Sequence, residues 1–125
     1  MKKILMVGTG GTIASEMTAE GLAPELNTEQ LLEFIPDIGK FCRVDCLQLY
    51  NLDSTNIRPA DWLGVADILR KSYDAYDGFV ISHGTDTMAY TAAALSYLVQ
   101  GSAKPIVLTG AQKPIWFDGT DSKRN

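Results

Sequence analysis

The sequence predicts an α/β fold in which a mainly parallel β-sheet is flanked by helices. Four short apolar runs, residues 4–7, 44–49, 79–82 and 106–109, have the length and composition of buried strands. Helical patterns lie between the later runs, and strands that alternate with helices form βαβ units with a parallel sheet. A polar segment rich in glycine, amide or hydroxyl groups follows each run. These segments predict where a ligand binds, because ligands of parallel sheets bind beyond the carboxyl ends of the strands.

The first run, residues 4–7, follows a short basic start and could be mistaken for part of a secretory signal. Four apolar residues are too few, because the apolar region of a signal peptide needs roughly 7–15 residues. No stretch approaches the ~20 apolar residues of a membrane-spanning helix. We therefore expect residues 4–7 to form the first strand of a cytoplasmic protein that has no membrane partner.

Two of the predicted helices have recognisable ends. The helix over 28–35 begins at Asn27 or Thr28, which are residue types favoured as N-caps, and it ends before a proline. The helix over 87–100 is followed by Gly101, a typical C-terminal stop.

The longest helical pattern covers residues 59–76, and Pro59 suits its first position. Its apolar side chains recur on one stripe, which predicts that one face of the helix packs against the sheet. The stripe consists of Trp62, Val65, Ala66, Leu69, Tyr73 and Tyr76. Residues 16–27, in contrast, have polar residues spread throughout and contain Gly21 and Pro24, so they predict a loop.

The polar segments after the four strands are VGTGGT, LYNLDST, ISHGTDT and LTGAQKP. Because the carboxyl ends of parallel strands lie at one end of the sheet, we expect these segments to converge in a cleft. The side chains expected there are Thr9, Thr12, Asp53, Ser54, Thr55, Thr85, Asp86 and Gln112. Hydroxyl groups beside carboxylates suggest acyl transfer on a small polar substrate.

Other classes of site fit poorly. The glycine-rich turn over 8–12 would need a glycine at position 13 to bind a dinucleotide, and Ile13 stands there. The 11 basic and 15 acidic residues give a net charge of −4, which argues against a nucleic-acid surface. One histidine and the pair Cys42 and Cys46 are too few ligands for a structural zinc. We therefore expect neither a metal nor a nucleotide cofactor.

Structural roles for the same polar residues remain open at this stage. Thr85 or Asp86 would suit a helix N-cap, although capping needs only one such residue. Residues 53–55 would equally suit a turn or a cap. The turn over 8–12 is either a tight glycine turn in which Thr12 is incidental, or a means of bringing N–H groups and the Thr12 hydroxyl to a substrate. His83 is expected to be a hydrogen-bonded structural residue rather than a general base.

Four segments of the chain resemble one known family. TGGTIA at 9–14 and GFVISHGTDTMAYTA at 78–92 resemble the two signatures of the bacterial-type L-asparaginase/glutaminase family. LDSTNIRPADW at 52–62 and PIVLTGAQKP at 105–114 fit the same family and are most similar to its cytoplasmic type I branch. The resemblance implies that residues 1–125 are an N-terminal catalytic domain that is incomplete, because family subunits carry a further C-terminal domain.

The resemblance implies hydrolysis of L-asparagine to L-aspartate and ammonia without a metal or cofactor. Thr12 would attack the side-chain amide carbon and form an acyl-enzyme. Thr85 would act opposite it, in a set with Asp86 and a lysine. Asp86 would also hold the substrate α-amino group. The backbone around Thr12 and Thr85 would form the oxyanion hole.

The α-carboxylate of the substrate would be held by Ser54 together with its neighbours Asp53 and Thr55, by the same resemblance. Two family features have no clear counterpart. The mobile loop over the family active site often carries a tyrosine, whereas EMTAEGLAPEL has none and Leu22 stands near that position. Neither Lys104 nor Lys113 fits the expected catalytic lysine, so we expect little turnover from these 125 residues alone.

The last eight residues, 118–125, predict a turn and the start of a helix, with Thr120 or Asp121 as its cap. The family resemblance implies a homodimer or homotetramer. Two other functions remain open: an asparaginase-like subunit that supplies ammonia to a tRNA amidotransferase, and a non-catalytic domain that binds an amino acid.

Overall fold

Parallel strands form the central sheet of the molecule, and the predicted fold class is confirmed. The computed structural model describes residues 1–24 and 26–125, with the backbone alone for 22–24. Within this part of the chain, the sheet has four strands in the order β4-β1-β5-β6. They are β1 (Lys2–Gly10), β4 (Cys42–Leu52), β5 (Gly78–Ser82) and β6 (Ile106–Thr109). All three strand pairings are parallel, and Val7 of β1 lies between Leu47 of β4 and Ile81 of β5.

Three α-helices confirm the predicted helical patterns, although each is shorter than its pattern. They are α1 (Thr28–Glu33), α2 (Pro59–Ser72) and α3 (Met88–Leu98). A capping box fixes the start of α1, because Asn27 Oδ1 accepts from Gln30 N and Gln30 Oε1 accepts from Asn27 N, both at 2.9 Å. None of the described helices is long and apolar enough to cross a membrane.

One face of the sheet packs against α2 and α3. Alternate residues of β1 and β5 point to this face, where they form a core with the apolar stripe of α2. Its fully buried members are Leu5, Val7, Val65, Ala66, Leu69, Phe79, Ile81 and Leu95. The predicted stripe of α2 is therefore confirmed at its centre. Tyr73 and Tyr76 are half-buried and pack against Phe79 at centroid distances of 6.1 and 6.2 Å.

The opposite face of the sheet is covered at its carboxyl end by α1 and by two residues of the loops, Ile13 and Ile115. Beyond them lies a largely apolar groove of about 410 Å³, whose floor includes Ile4, Val80 and Val107. Such a surface offers little to the two charged groups of an amino acid. The polar segments lie elsewhere, beyond the carboxyl ends of the strands.

The prediction of a loop over 16–27 was wrong for most of its length. β2 (Ser15–Thr18) and β3 (Gly21–Pro24) pair as an antiparallel hairpin. At its turn, the Thr18 hydroxyl donates to Gly21 O at 2.7 Å. Each strand has only four residues, and neither shows the alternation of apolar and polar residues that marks a half-buried strand, so no sign of their pairing is visible in the sequence. Position 25, which the predicted loop also included, lies outside the described residues.

Residues that follow β6 hold the base of this hairpin. Trp116 Nε1 donates to Ser15 O at 2.7 Å, and Ile115 N donates to Ile13 O at 3.2 Å. At the end of the chain, Thr120 Oγ1 accepts from Ser122 N at 3.1 Å, which is consistent with the turn predicted there.

Candidate active site

Three glycines allow the loops at the carboxyl end of the sheet to touch one another. A Cβ on Gly11 would lie 2.4 Å from Gly84 N, and one on Gly84 would lie 2.6 Å from Ser54 Cβ. A Cβ on Gly110 would lie 2.3 Å from His83 O. Real Cβ atoms do not approach other atoms so closely, so these contacts require glycine. Four loops that are distant in sequence therefore meet at one place.

Thr12 directly follows Gly11 and begins a 3-10 turn, Thr12–Ala14. Gly11 has a φ of +88°, a conformation that favours glycine, and its N–H donates to Leu52 O at 3.1 Å. The Ser15 hydroxyl donates to Gly11 O at 3.1 Å. Among the described residues, none hydrogen-bonds to the hydroxyl or the amide N–H of Thr12, so both groups are available to a ligand.

Thr85 and Asp86 lie between β5 and α3, and neither of them caps the helix. The N-cap of α3 is Thr87, and its side chain makes no capping bond. Its hydroxyl instead donates to Ser54 O at 2.8 Å, which ties the start of α3 to the neighbouring loop. Asp86 is exposed. The helix-cap alternative therefore does not explain the presence of Thr85 and Asp86.

The hydroxyl of Thr85 has a partner from the last of the four loops. Gln112 Nε2 lies 3.1 Å from Thr85 Oγ1, and Gly110 packs beside the Thr85 methyl group. This contact agrees with the expectation that Gln112 joins the cleft. In the described part of the chain, no residue accepts a hydrogen bond from the amide N–H of Thr85 or Asp86.

Asp53 and Thr55 bond to each other, whereas Ser54 between them contacts the loop after β5. Asp53 is the N-cap of a 3-10 turn, and its Oδ1 accepts from Thr55 N at 2.8 Å and from Thr55 Oγ1 at 2.7 Å. These hydrogen bonds lower the pKa of the Asp53 carboxyl below its usual value. Ser54 between them is buried and packs against Gly84. Ser54 thus touches the loop that carries Thr85.

Thr9 lies at the same end of the sheet but does not reach the cleft. Its side chain is buried, and its hydroxyl donates to Ser82 O at 2.7 Å. Because successive side chains of a strand point to opposite faces, only part of the VGTGGT segment can face a ligand. The expectation that Thr9 joins the cleft was wrong.

His83 is a structural residue, as predicted. It is buried, and its two ring nitrogens lie 2.7 Å from Gly84 O and 2.8 Å from Thr91 Oγ1. Burial lowers the pKa of its imidazole, because the charged form loses hydration. The sequence did not predict that Thr91 would be its hydrogen-bond partner, or that Trp62 would donate to Thr91, since both residues lie in helical patterns where the visible signal is apolar periodicity.

The two lysines considered from the sequence do not point to Thr85. Lys104 precedes β6, so it lies at the amino end of the sheet, where its Nζ donates to Tyr73 O. Lys113 follows the Gln112 loop, and its Nζ lies 5.5 Å from the centre of the Phe117 ring. The side chain of Leu22 lies outside the described residues. Within those residues, no cluster of three or more His, Cys, Asp or Glu side chains could hold a metal ion.

Comparison with known proteins finds close relatives over almost the whole chain. A family model described as "Asparaginase, N-terminal" matches residues 3–125. The L-asparaginase of Thermococcus kodakarensis is 41% identical over 125 residues, which are 98% of this chain and 38% of that protein. A subunit of the glutamyl-tRNA(Gln) amidotransferase of Saccharolobus solfataricus is 38% identical over 126 residues, which cover 98% of this chain and 28% of that protein.

Two solved structures have the same fold over this region. The structure of the Thermococcus kodakarensis L-asparaginase superimposes with a TM-score of 0.90 over 98% of this chain. L-asparaginase I of Vibrio cholerae is 37% identical, with a TM-score of 0.88 over 99% of this chain and 38% of that chain. The present chain thus spans less than two-fifths of the length of these relatives.

Proposed function

Because the chain belongs to the asparaginase family, we propose that the protein hydrolyses the side-chain amide of L-asparagine to give L-aspartate and ammonia. The observation that carries this proposal is the contact between Gly11 and Gly84. Each of these glycines directly precedes one of the two threonines with proposed catalytic roles. Their packing brings the backbones of Thr12 and Thr85 within reach of one small substrate.

In the proposed reaction, Thr12 Oγ attacks the amide carbon, the C–N bond breaks, and the proton lost by the hydroxyl leaves with ammonia. Water then hydrolyses the acyl-enzyme, which releases L-aspartate and restores the hydroxyl. The free N–H groups of Thr12 and Thr85 are the proposed donors to the oxyanion that develops during attack. A threonine hydroxyl is a weak nucleophile unless a base removes its proton. We therefore assign the proton transfer to the catalytic set that contains Thr85 and Asp86.

Recognition of the substrate follows from charge. The exposed carboxylate of Asp86 is proposed to pair with the α-ammonium group, as well as acting in the catalytic set. Ser54, which touches the same loop through Gly84, is proposed to bind the α-carboxylate. Asp53 and Thr55, which bond to each other, would then hold Ser54 in place by closing its turn.

Replacing Thr12 tests the proposed nucleophile. The full-length Thr12→Ala variant should lose turnover by a factor on the order of 10³ or more, because no other group forms the acyl-enzyme. It should still bind L-aspartate, which calorimetry measures. Thr12→Ser, the matched control, keeps a hydroxyl and should retain part of the ammonia release. Unchanged turnover in Thr12→Ala would remove Thr12 from the mechanism.

A second candidate function is that of the ammonia-supplying subunit of a tRNA amidotransferase, and the 38% identity to a subunit of such an enzyme favours it. The same cleft would then release ammonia for a partner enzyme. Ammonia release from asparagine by the purified protein alone supports the first function. Release that requires a partner subunit and charged tRNA supports the second. Binding of aspartate without release under either condition would indicate a non-catalytic amino-acid-binding domain.

Location and assembly are proposed from the likeness to the type I branch. The protein would be cytoplasmic and form a homodimer or homotetramer, and residues 1–125 would be the N-terminal part of its catalytic unit. Sedimentation velocity of the full-length protein measures its oligomeric state. An ammonia-release assay on the isolated 125 residues tests the domain proposal, and a normal rate would contradict it.

A further inference from the structure

A largely buried chain of hydrogen bonds ends at the peptide group that joins Gly84 to Thr85. Trp62 Nε1 of α2 donates to Thr91 Oγ1 of α3 at 2.9 Å, and Thr91 Oγ1 lies 2.8 Å from His83 Nε2. His83 Nδ1 lies 2.7 Å from Gly84 O. The residues His83 and Thr91 are each 1% exposed. The chain therefore links both helices to the loop that carries Thr85.

Chemistry sets the direction of every bond in this chain. The indole N–H of Trp62 can only donate, and the carbonyl oxygen of Gly84 can only accept. The hydroxyl of Thr91 receives the indole bond and donates its own hydrogen to His83 Nε2. His83 Nδ1 then carries the ring hydrogen and donates to Gly84 O. Burial favours the neutral imidazole over the charged form, and a neutral ring with its hydrogen on Nδ1 has Nε2 free to accept from Thr91.

The bond to Gly84 O also determines where the amide hydrogen of Thr85 points. The carbonyl of Gly84 and the N–H of Thr85 belong to one planar trans peptide group and point in opposite directions. Glycine has no Cβ, so this peptide group could rotate more freely than most. His83 holds the carbonyl toward the protein interior. The N–H of Thr85 consequently points away from it, and it has no acceptor among the described residues.

We propose that His83 is a positioning residue, which aims the Thr85 N–H at the substrate oxygen through its hydrogen bond to Gly84 O. The inference rests on the proposed function, which assigns that N–H to the oxyanion hole. It gives the histidine a role that is neither general base nor simple core packing. An oxyanion donor acts mainly in the transition state, so the contribution of His83 belongs to kcat rather than to KM.

Two substitutions of His83 test the hydrogen bonds of its two ring nitrogens separately. The amide nitrogen of Asn can occupy the position of Nδ1, so His83→Asn keeps a donor to Gly84 O and loses the bond to Thr91. The amide of Gln reaches the position of Nε2, so His83→Gln keeps the bond to Thr91 and loses the donor to Gly84 O. The pair therefore distinguishes positioning of the peptide from packing of a buried polar side chain.

In the full-length protein, kcat for asparagine should fall about 10- to 100-fold in His83→Gln and less than about 5-fold in His83→Asn. KM should change less than about 3-fold in both. Equal losses of kcat in the two variants, or a loss confined to KM, would overturn the proposal. If both variants fail to fold, Thr91→Val and Thr91→Ser replace them, and only Thr91→Val should lower kcat.

NMR tests the geometry without relying on turnover. The amide resonance of Thr85 should shift in His83→Gln and stay near its wild-type position in His83→Asn. A ¹H–¹⁵N correlation of the wild-type imidazole should place its hydrogen on Nδ1, and a hydrogen on Nε2 would refute the inferred direction. Absence of asparagine hydrolysis in the wild-type protein would contradict the proposed function, whereas these spectra would still decide the orientation of the peptide.

Discussion

Gly84→Ala perturbs the point where the loops of the candidate site meet. The added methyl group would lie 2.6 Å from Ser54 Cβ and 2.7 Å from Ser54 Oγ. Ordinary contacts of a Cβ begin near 3.4 Å, so the two loops would have to separate by about 0.8 Å. The nearest atoms belong to a short, buried side chain that cannot swing away, and backbone must therefore move.

The expected cost follows from two opposing effects. Overpacking a buried site costs about 1–3 kcal/mol. Alanine also restricts the unfolded chain, which stabilises the protein by about 0.4–1 kcal/mol. The free energy of unfolding should therefore fall by up to roughly 2.6 kcal/mol. With an m-value of about 1.5 kcal/mol/M in urea, the unfolding midpoint should fall by up to roughly 1.7 M.

Urea unfolding followed by circular dichroism measures this change, and Gly39→Ala is the matched control. A Cβ on Gly39 would meet no atom within 4 Å, and Gly39 is exposed. The urea unfolding midpoint of Gly39→Ala should stay unchanged or rise. Gly84→Ala should also weaken L-aspartate binding, because Ser54 is displaced, whereas Gly39→Ala should not.

A double-mutant cycle identifies the clash with Ser54 as the cause. Ser54→Gly removes both of the nearest atoms and leaves Ser54 N at 3.1 Å from the added methyl group. In that background, Gly84→Ala should cost at least about 1 kcal/mol less than in the wild type. If Gly84→Ala is as stable as Gly39→Ala, or if Ser54→Gly brings no relief, the loops do not pack as described.

Three further predictions concern stability. Burial holds the pKa of His83 in the folded protein below its usual value of 6.5. At a pH just below 6.5, the unfolded chain therefore binds more protons than the folded protein. The free energy of unfolding should consequently decrease as the pH falls below 6.5. His83→Asn should flatten this decrease between pH 7.5 and 5.5 in urea titrations. Asp53→Ala removes the acceptor for Thr55 N–H and should lower the free energy of unfolding by about 0.5–2 kcal/mol at neutral pH. The loss should be smaller in acid, because the lowered pKa of Asp53 means that its ionised form is the stabilising one. Leu69→Ala, at a site that is 0% exposed, should cost about 2–5 kcal/mol, whereas Leu63→Ala on the exposed face of α2 should cost less than about 0.5 kcal/mol by thermal unfolding.

Much of the fold was predictable because it depends on local periodicity. Buried parallel strands read as continuous apolar runs, and a helix that covers a sheet repeats its apolar residues every three to four positions. The runs at 79–82 and 106–109 therefore matched β5 and β6 closely. The β2–β3 hairpin escaped prediction, because its strands have four residues each, lack a regular alternation of apolar and polar residues, and are defined by pairing with each other.

Part of the candidate site was also predictable from the sequence by itself. Polar residues placed just after buried strands must emerge at the carboxyl end of a parallel sheet, so the loops of Thr12, Ser54 and Thr85 were expected to meet. The residue types in that order were enough to indicate the family. These conclusions need only the order of the elements and the chemistry of the side chains.

Only the tertiary structure decided which neighbours surround each polar side chain. Thr9 and Thr12 are three residues apart in one glycine-rich turn, yet the hydroxyl of the first donates to Ser82 O and the hydroxyl of the second has no partner in the part of the chain that the structure describes. His83 looked like an isolated polar residue until α2 and α3 supplied Trp62 and Thr91. Such surroundings depend on side-chain direction and on contacts between residues far apart in sequence, which strand order and loop packing determine and local patterns do not.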